Sequence, residues 1–348
     1  MSQGVFFGLA AALLFGLSTP LAKLFIADIQ PVLLAGLLYM GSGLGLSLWW
    51  LYKRLKTPER SRPIKRSELP YLTGAVICGG MISPALLMLG LSLTAASTAS
   101  LLLNLEGVLT AVLAWVFFKE NCNRRIVLGM IVITIGSIVL TTAGQTGFIM
   151  SGGAVLIALA CLGWAVDNNL TRQISHADAV QIALVKGVAA GIVNLSIAIF
   201  LLTPQWPPLS VTFAAMLVGF LGYGVSLAFF VLALRHLGTA RTSAYFSTAP
   251  FVGAVFAILL FGEPISLPLL IAFLLMGFGV WLHLSEKHEH RHEHEAIVHD
   301  HEHIHDEHHR HGYAEGDPQN EPHSHVHAHT PISHSHAHFP DLHHRHEH

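Results

Sequence analysis

Charged side chains are scarce in this chain. Asp, Glu, Lys and Arg make up 11% of its 348 residues, against about 25% in ordinary soluble domains. With 52% hydrophobic residues and a mean hydropathy of +0.55, that shortage excludes a soluble domain and indicates a polytopic membrane protein. Cysteine is nearly absent too. Cys78, Cys122 and Cys161 are far apart and form no C-x-x-C pair, so neither a disulfide nor a cysteine metal site is expected. No nucleophile–base pair, helical H-E-x-x-H or phosphate loop occurs, so the chain reads as no enzyme and needs no cofactor. No nucleic-acid partner is expected. The N-terminus lacks a basic n-region and a small-residue cleavage site, so its first apolar run should stay in the membrane as a helix.

About ten apolar runs of spanning length are present. They are roughly Val5–Ile26, Val32–Tyr52, Leu69–Leu91, Ala95–Phe118, Ile126–Thr142, Gly153–Leu170, Val180–Leu202, Phe213–Leu234, Thr239–Phe261 and Leu267–Leu284. If the chain starts in the cytosol, Lys53, Arg54, Lys56, Arg60, Arg62, Lys65 and Arg66 share one cytosolic loop. Lys119, Arg124, Arg125, Arg172, Arg235 and Arg241 then lie at cytosolic helix ends. The opposite connections, AGQTGFIMSGG and TPQWPPLS among them, hold no Lys or Arg. That asymmetry places both termini in the cytosol. A bacterial cytoplasmic membrane and its lipid bilayer are the expected setting, and a homodimer is left open.

The runs repeat. At an offset of 143 positions, the spacing of Glu120 and Glu263, Ser100 falls on Ser243, Asn104 on Ser247, Gly107 on Pro250, Ala111 on Ala254 and Ala114 on Ala257. Steps of three or four place these residues on one helical face. A small or polar stripe on an apolar helix marks close packing or a polar cavity. The same offset aligns Gly79 with Gly222, Ser83 with Ser226 and Ala85 with Ala228. Each half holds five runs, and an odd number turns the second half over in the membrane. The expected architecture is all-α: ten transmembrane helices in two inverted five-helix repeats, residues 1–142 and 150–285, followed by a disordered His-rich tail, 286–348. Pro20, Pro84 and Pro250 lie inside predicted spans, where each removes an intrahelical hydrogen bond. Gly41-x-x-x-Gly45 and Gly187-x-x-x-Gly191 indicate helix packing.

ALRHLGTARTSAYFSTAPFVGAVFAILLFGEPIS closely resembles the signature of the EamA-type family of the drug/metabolite transporter superfamily. LGLSLTAASTASLLLNLEGVLTAVLAWVFFKE is its first-repeat version, with Gly107 where many members have proline. The resemblance covers about residues 1–285. It implies ten helices in two inverted halves, a central cavity and alternating access. It also implies small-metabolite substrates such as amino acids, often exported.

Ionisable groups at membrane depth are costly and therefore functional candidates. Glu106, near the middle of helix 4, is the foremost. Its charge state responds to burial and to a cationic substrate, so it can couple proton movement to transport. Asn104, Asp167, Asn168, Trp164, Tyr223, Ser247 and Lys23 are further candidates for holding a solute. A structural role fits each of them as well, and helix glue fits the Asp167–Asn169 knot. Lys186 reads as a side chain that snorkels to an interface.

From Glu286 the composition changes. All but His176, His236 and His283 of the 25 histidines lie in the tail. Apolar residues are too sparse there to bury a core. His288, His290, His292, His294, His299, His301, His303, His305, His323, His325, His327, His329, His334, His336 and His338 are candidate ligands for Zn, Ni, Co or Cu. Three functions fit the sequence. The first is a metabolite exporter with a metal-binding cytosolic tail. The second is a transporter of a divalent metal or its chelate, for which the tail collects cargo. The third is a membrane-anchored metal buffer or sensor. The helices hold few His, Asp or Cys ligands for a bare transition metal.

Overall fold

The computed structural model describes residues 3–56, 64–118, 124–142, 151–174 and 177–285, and within the tail 289–294, 298–303, 323–328 and 332–337. Glu120, Cys122, His176, His288, His305, His329 and His338 lie outside the described residues.

Among the described residues, ten apolar helices follow one another. They are α1 (Gln3–Phe25) and α2 (Pro31–Lys56), α3 (Arg66–Ser92), α4 (Ala96–Leu102 and Asn104–Phe118) and α5 (Arg124–Thr142). The second half comprises α6 (Gly152–Gln173), α7 (Ala179–Leu202), α8 (Leu209–Ala233), α9 (Ala249–Phe261) and α10 (Leu267–Leu284). Eight are long enough to cross a membrane, and α9 and the apolar part of α10 are shorter. Helical turns continue past α8 to Phe246, yet the chain reverses within them. Along α1, Ser18, Ala11 and Phe7 meet Gly222, Ser226 and Phe229 in turn, whereas Gly8 and Gly16 meet Tyr245 and Ala249. The chain therefore runs antiparallel to α1 through α8 and parallel to it into α9.

The spans are apolar almost all round, so small residues decide which face turns inward. In α1 the buried residues are Gly4, Gly8, Ala11, Ala12, Gly16, Ser18, Thr19, Pro20 and Ala22, while Phe6, Leu9, Leu13 and Leu24 face outward. The glycine motifs do bring backbones together. A Cβ on Gly187 of α7 would fall 2.6 Å from the Gly43 nitrogen of α2, and one on Gly41 would fall 2.0 Å from the Met216 carbonyl of α8. Contacts between the halves are symmetric: α2 packs on α7, α5 on α10, α1 on α8 and α9, and α6 on α3 and α4.

Two discontinuities recur in both halves. In α3, residues Val76–Ile82 form a π-helical turn, and Phe220–Val225 does the same in α8. Gly79 and Gly222, matched at the offset of 143, sit in the two turns. The single span expected for α4 is broken at Leu103, and α9 begins only after a break at Ser247 and Thr248. Pro84 and Pro250 fall in the first turn of the helical segments that follow, where their missing N–H costs nothing.

The tail forms a separate unit from Lys287 onward. Its described residues form four short segments of extended backbone: β1 (Glu289–His294), β2 (Val298–His303), β3 (His323–Ala328) and β4 (Ile332–Ala337). β1 pairs antiparallel with β4, and β2 with β3. Histidine at every second position carries the period of a strand. The register sets His290 against His336 and His292 against His334, and His299, His301 and His303 against His327, His325 and His323.

Candidate functional site

The π turn of α3 is the scaffold of the polar centre. A wide turn releases carbonyls from the helical ladder, and here side chains take them up. Gly79 O accepts from the Tyr39 hydroxyl at 3.0 Å and from Trp164 Nε1 at 2.9 Å. Gly80 O accepts from Asn194 Nδ2 at 3.3 Å, and Cys78 O from the Ser83 hydroxyl at 2.8 Å. Four helices, α2, α3, α6 and α7, are thereby tied at one level.

Against this turn lies a buried ion pair. Lys186 Nζ donates to Asp167 Oδ1 and Oδ2 at 2.6 and 2.5 Å, with side-chain exposures of 10% and 7%. Thr171 adds a hydroxyl donor to Oδ1 at 2.8 Å. Lys186 therefore does not snorkel: its ammonium stays inside because Asp167 neutralises it there. Glycine at 79 leaves room for the pair, since a Cβ there would stand 1.9 Å from Asp167 Oδ2.

Glu106 lies one turn beyond the α4 break, half-buried. Its Oε1 accepts from Asn168 Nδ2 of α6 at 2.8 Å, and the same amide reaches Thr110 Oγ1 at 3.4 Å. The next residue, Asn169, donates to Thr110 O at 3.2 Å. Asn168 is exposed, and a Cβ on Gly107 would meet nothing within 4 Å. This cluster therefore borders open space. Among the described residues no cation lies within ion-pair distance of Glu106.

An aromatic wall adjoins these groups. Trp164, one turn before Asn168, meets Phe15 edge-on at 6.5 Å between centroids. Phe15 meets Tyr223 edge-on at 5.9 Å, and Tyr223 lies 5.4 Å from Tyr39. The hydroxyls of Tyr223, Thr19 and Ser100 are buried and meet no hydrogen-bonding geometry among the described residues.

The structure thus brings Glu106, Asn168, Trp164, Asp167 and Tyr223 into one region, and the other candidates elsewhere. The Asn104 amide closes the α4 break by donating to Leu101 O at 3.0 Å and faces the Met276 sulfur of α10. Ser247 lies in the α9 break. Lys23 sits at the C-terminal end of α1, where it donates to Leu91 O and, at 2.9 Å, to Thr94 O. Glu263 lies at the same end, accepting from the Ala96 and Ser97 amides at 2.8 and 3.0 Å. A cation on the last carbonyls of α3 and an anion on the first amides of α4 both match the helix dipoles. Tyr39, Thr110, Asn194 and Lys186 were not among the sequence candidates for a site. For Lys186 a signal existed: Asp167 lies six residues before the end of α6 and Lys186 seven after the start of α7, which sets them level in an antiparallel pair.

Two five-helix halves with broken helices meeting at a polar centre define an integral membrane carrier built from an inverted repeat. A protein of known crystal structure has the same fold at a TM-score of 0.60 and 19% identity, covering 81% of this chain and 96% of the other. The chain belongs to the EamA-like transporter family, whose model matches residues 2–142 and 151–285. A relative from Methanothermobacter thermautotrophicus described as an uncharacterized transporter is 28% identical over 292 residues, 79% of this chain and 84% of its own. The uncharacterized transporter YyaM of Bacillus subtilis is 27% identical over 234 residues, 62% of this chain and 75% of its own. The protein is a membrane transporter.

Proposed function

We propose that the protein moves a small metabolite outward across a bacterial cytoplasmic membrane by alternating access, with both termini cytosolic and Glu106 as the coupling carboxylate. One observation carries this reading: Glu106 stands at the break of α4, its carboxylate accepts from the neutral Asn168 amide of α6, and it borders open space. A Glu–Asn–Thr cluster bordering open space is unfavourable against lipid, so it belongs to a water-accessible path. Protonation of Glu106 cuts the electrostatic part of its bond to Asn168, which loosens one contact between the halves. In proteoliposomes, Glu106→Gln abolishes pH-driven flux while leaving the protein folded. Normal coupled flux in that variant removes Glu106 from the mechanism.

The tail is proposed to bind transition metals on the cytosolic side. The register that sets histidine opposite histidine supports it, because directly opposed residues share one face of an antiparallel pair. The same observation favours a second reading, in which the cargo is a divalent metal or its chelate gathered by the tail. Flux of metals and of metabolites, with and without residues 286–348, separates the two. Metal flux that disappears with the tail supports the second, and unchanged metabolite flux the first.

A further inference from the structure

We propose that Lys23 and Glu263 form a latch that holds the outer mouth of the carrier shut, so that the chain rests closed toward the outside and open toward the cytosol. The assignment rests on the reading of alternating access with both termini cytosolic, and adds the bonds that must break before the outer side opens.

The latch grips one connection from two sides. Lys23, at the C-terminal end of α1, donates to Leu91 O in the last turn of α3 and to Thr94 O just beyond it. Glu263, after the end of α9, accepts from the Ala96 and Ser97 amides that open α4, at 2.8 and 3.0 Å. Hydrogen bonds with an ionised partner are stronger than neutral ones. What they fix is the segment Ala96–Leu102, which the break at Leu103 separates from the part of α4 that bears Glu106. This segment closes onto α1 and α9 with almost no space between. A Cβ on Gly253 of α9 would stand 2.7 Å from Gly16 O of α1 and 2.9 Å from Ser100 Oγ of α4.

The closed corner is built to part. The buried hydroxyls of Thr19, Thr94 and Ser100 meet no hydrogen-bonding geometry among the described residues. Thr19 lies one turn before Lys23, Thr94 is the residue whose carbonyl Lys23 holds, and Ser100 lies one turn past the amides that Glu263 holds. An unpaired buried hydroxyl is costly. Water entering this corner therefore gives these groups partners and offsets part of the cost of separating the helices. The two charged side chains weigh the balance the other way, toward closure.

The opposite end differs. Gly153, at the start of α6, lies at the latched end: a Cβ there would stand 2.1 Å from Thr94 Oγ1. Asn168 comes fifteen residues later on the same helix, roughly 22 Å along at the helical rise. It is exposed, beside the open space at Gly107. When Gly16 of α1 is set on Gly163 of α6, Lys23 falls on Leu170, which packs at Gly74 of α3 and brings no charge. The lysine of the latch thus stands at one end of the inverted repeat and not at the other, and that asymmetry sets the resting state. A carrier that loads from the cytosol is served by such a bias.

The test places Ser100→Cys and, separately, Asn168→Cys in the full-length chain with Cys78, Cys122 and Cys161 replaced by Ala. A membrane-impermeant methanethiosulfonate is applied to right-side-out and to inside-out membrane vesicles. With the latch intact, Ser100→Cys should resist the reagent from outside, and Asn168→Cys should react from the cytosolic face. Lys23→Met or Glu263→Ala should speed outer labelling of Ser100→Cys by about tenfold or more, the shift expected of a two-state balance that loses a charged hydrogen bond. Either should also slow cytosolic labelling of Asn168→Cys, because the two faces open in turn. Lys23→Arg, which keeps the cation, should stay near the parent. Unchanged labelling of Ser100→Cys overturns the latch, and so does labelling that rises at both cysteines, which marks a loosened or unfolded chain. Labelling of Ser100→Cys that rises from the cytosolic face instead, with a fall for Asn168→Cys from outside, upholds the latch and reverses the orientation given under the proposed function.

Discussion

Replacing Lys186 by Met strands the Asp167 carboxylate inside the bundle with Thr171 as its remaining hydrogen-bond donor. Both members of the pair are over nine-tenths buried as residues, so water cannot substitute for the lost ammonium. Removing one partner of a buried ion pair costs about 3–5 kcal/mol. At roughly 2–4 °C per kcal/mol for a chain somewhat smaller than this one, the apparent melting temperature in detergent should fall by about 10 °C. Asp167→Asn alone leaves Lys186 without its anion and should behave alike. The double variant, Asp167→Asn with Lys186→Met, carries no buried charge and should recover most of the loss, because well-packed neutral substitutes for a buried pair are often tolerated. Membrane proteins of this kind unfold irreversibly, so the comparison is a ranking of melting curves at one scan rate. Losses that simply add in the double variant would refute the argument, since additivity means the two side chains do not interact.

Gly79→Ala should lower stability by about 1–3 kcal/mol, because its Cβ would press on Asp167 Oδ2; an unchanged melting curve would show that the α3 turn is not so close to the pair. Glu263→Ala should speed amide hydrogen exchange at Ala96 and Ser97, which lose their acceptor, and cost about 1–3 kcal/mol of local stability. Lys23→Met should similarly loosen the end of α3. Deleting residues 286–348 should abolish zinc binding measured by calorimetry, and in the intact chain that binding should weaken below about pH 6.5 as imidazoles gain protons.

Most of the architecture was legible in the sequence because lipid imposes a length and an apolar character on every span, and because a fixed offset recurs. The stripe from Ser100 to Ala114 marked the helix that carries Glu106. The matched glycines at 79 and 222 marked the two π turns, but not their nature: only tertiary partners such as Tyr39 and Trp164 make it worthwhile for a helix to widen there. The break at Leu103 was hidden for a related reason. Leu101, Leu102 and Leu103 form a continuous apolar run, and the carbonyl that the break exposes is capped by Asn104, three residues on. Lys186 was misread because snorkelling was judged from its own helix, whereas its partner lies 19 residues earlier on another.

The central claim is that Glu106 faces a water-filled path between the two halves. With Cys78, Cys122 and Cys161 replaced by Ala, Glu106→Cys should react with a membrane-impermeant, water-soluble methanethiosulfonate. Reaction only with a lipid-soluble maleimide, and none from the aqueous phase on either side, would contradict the account.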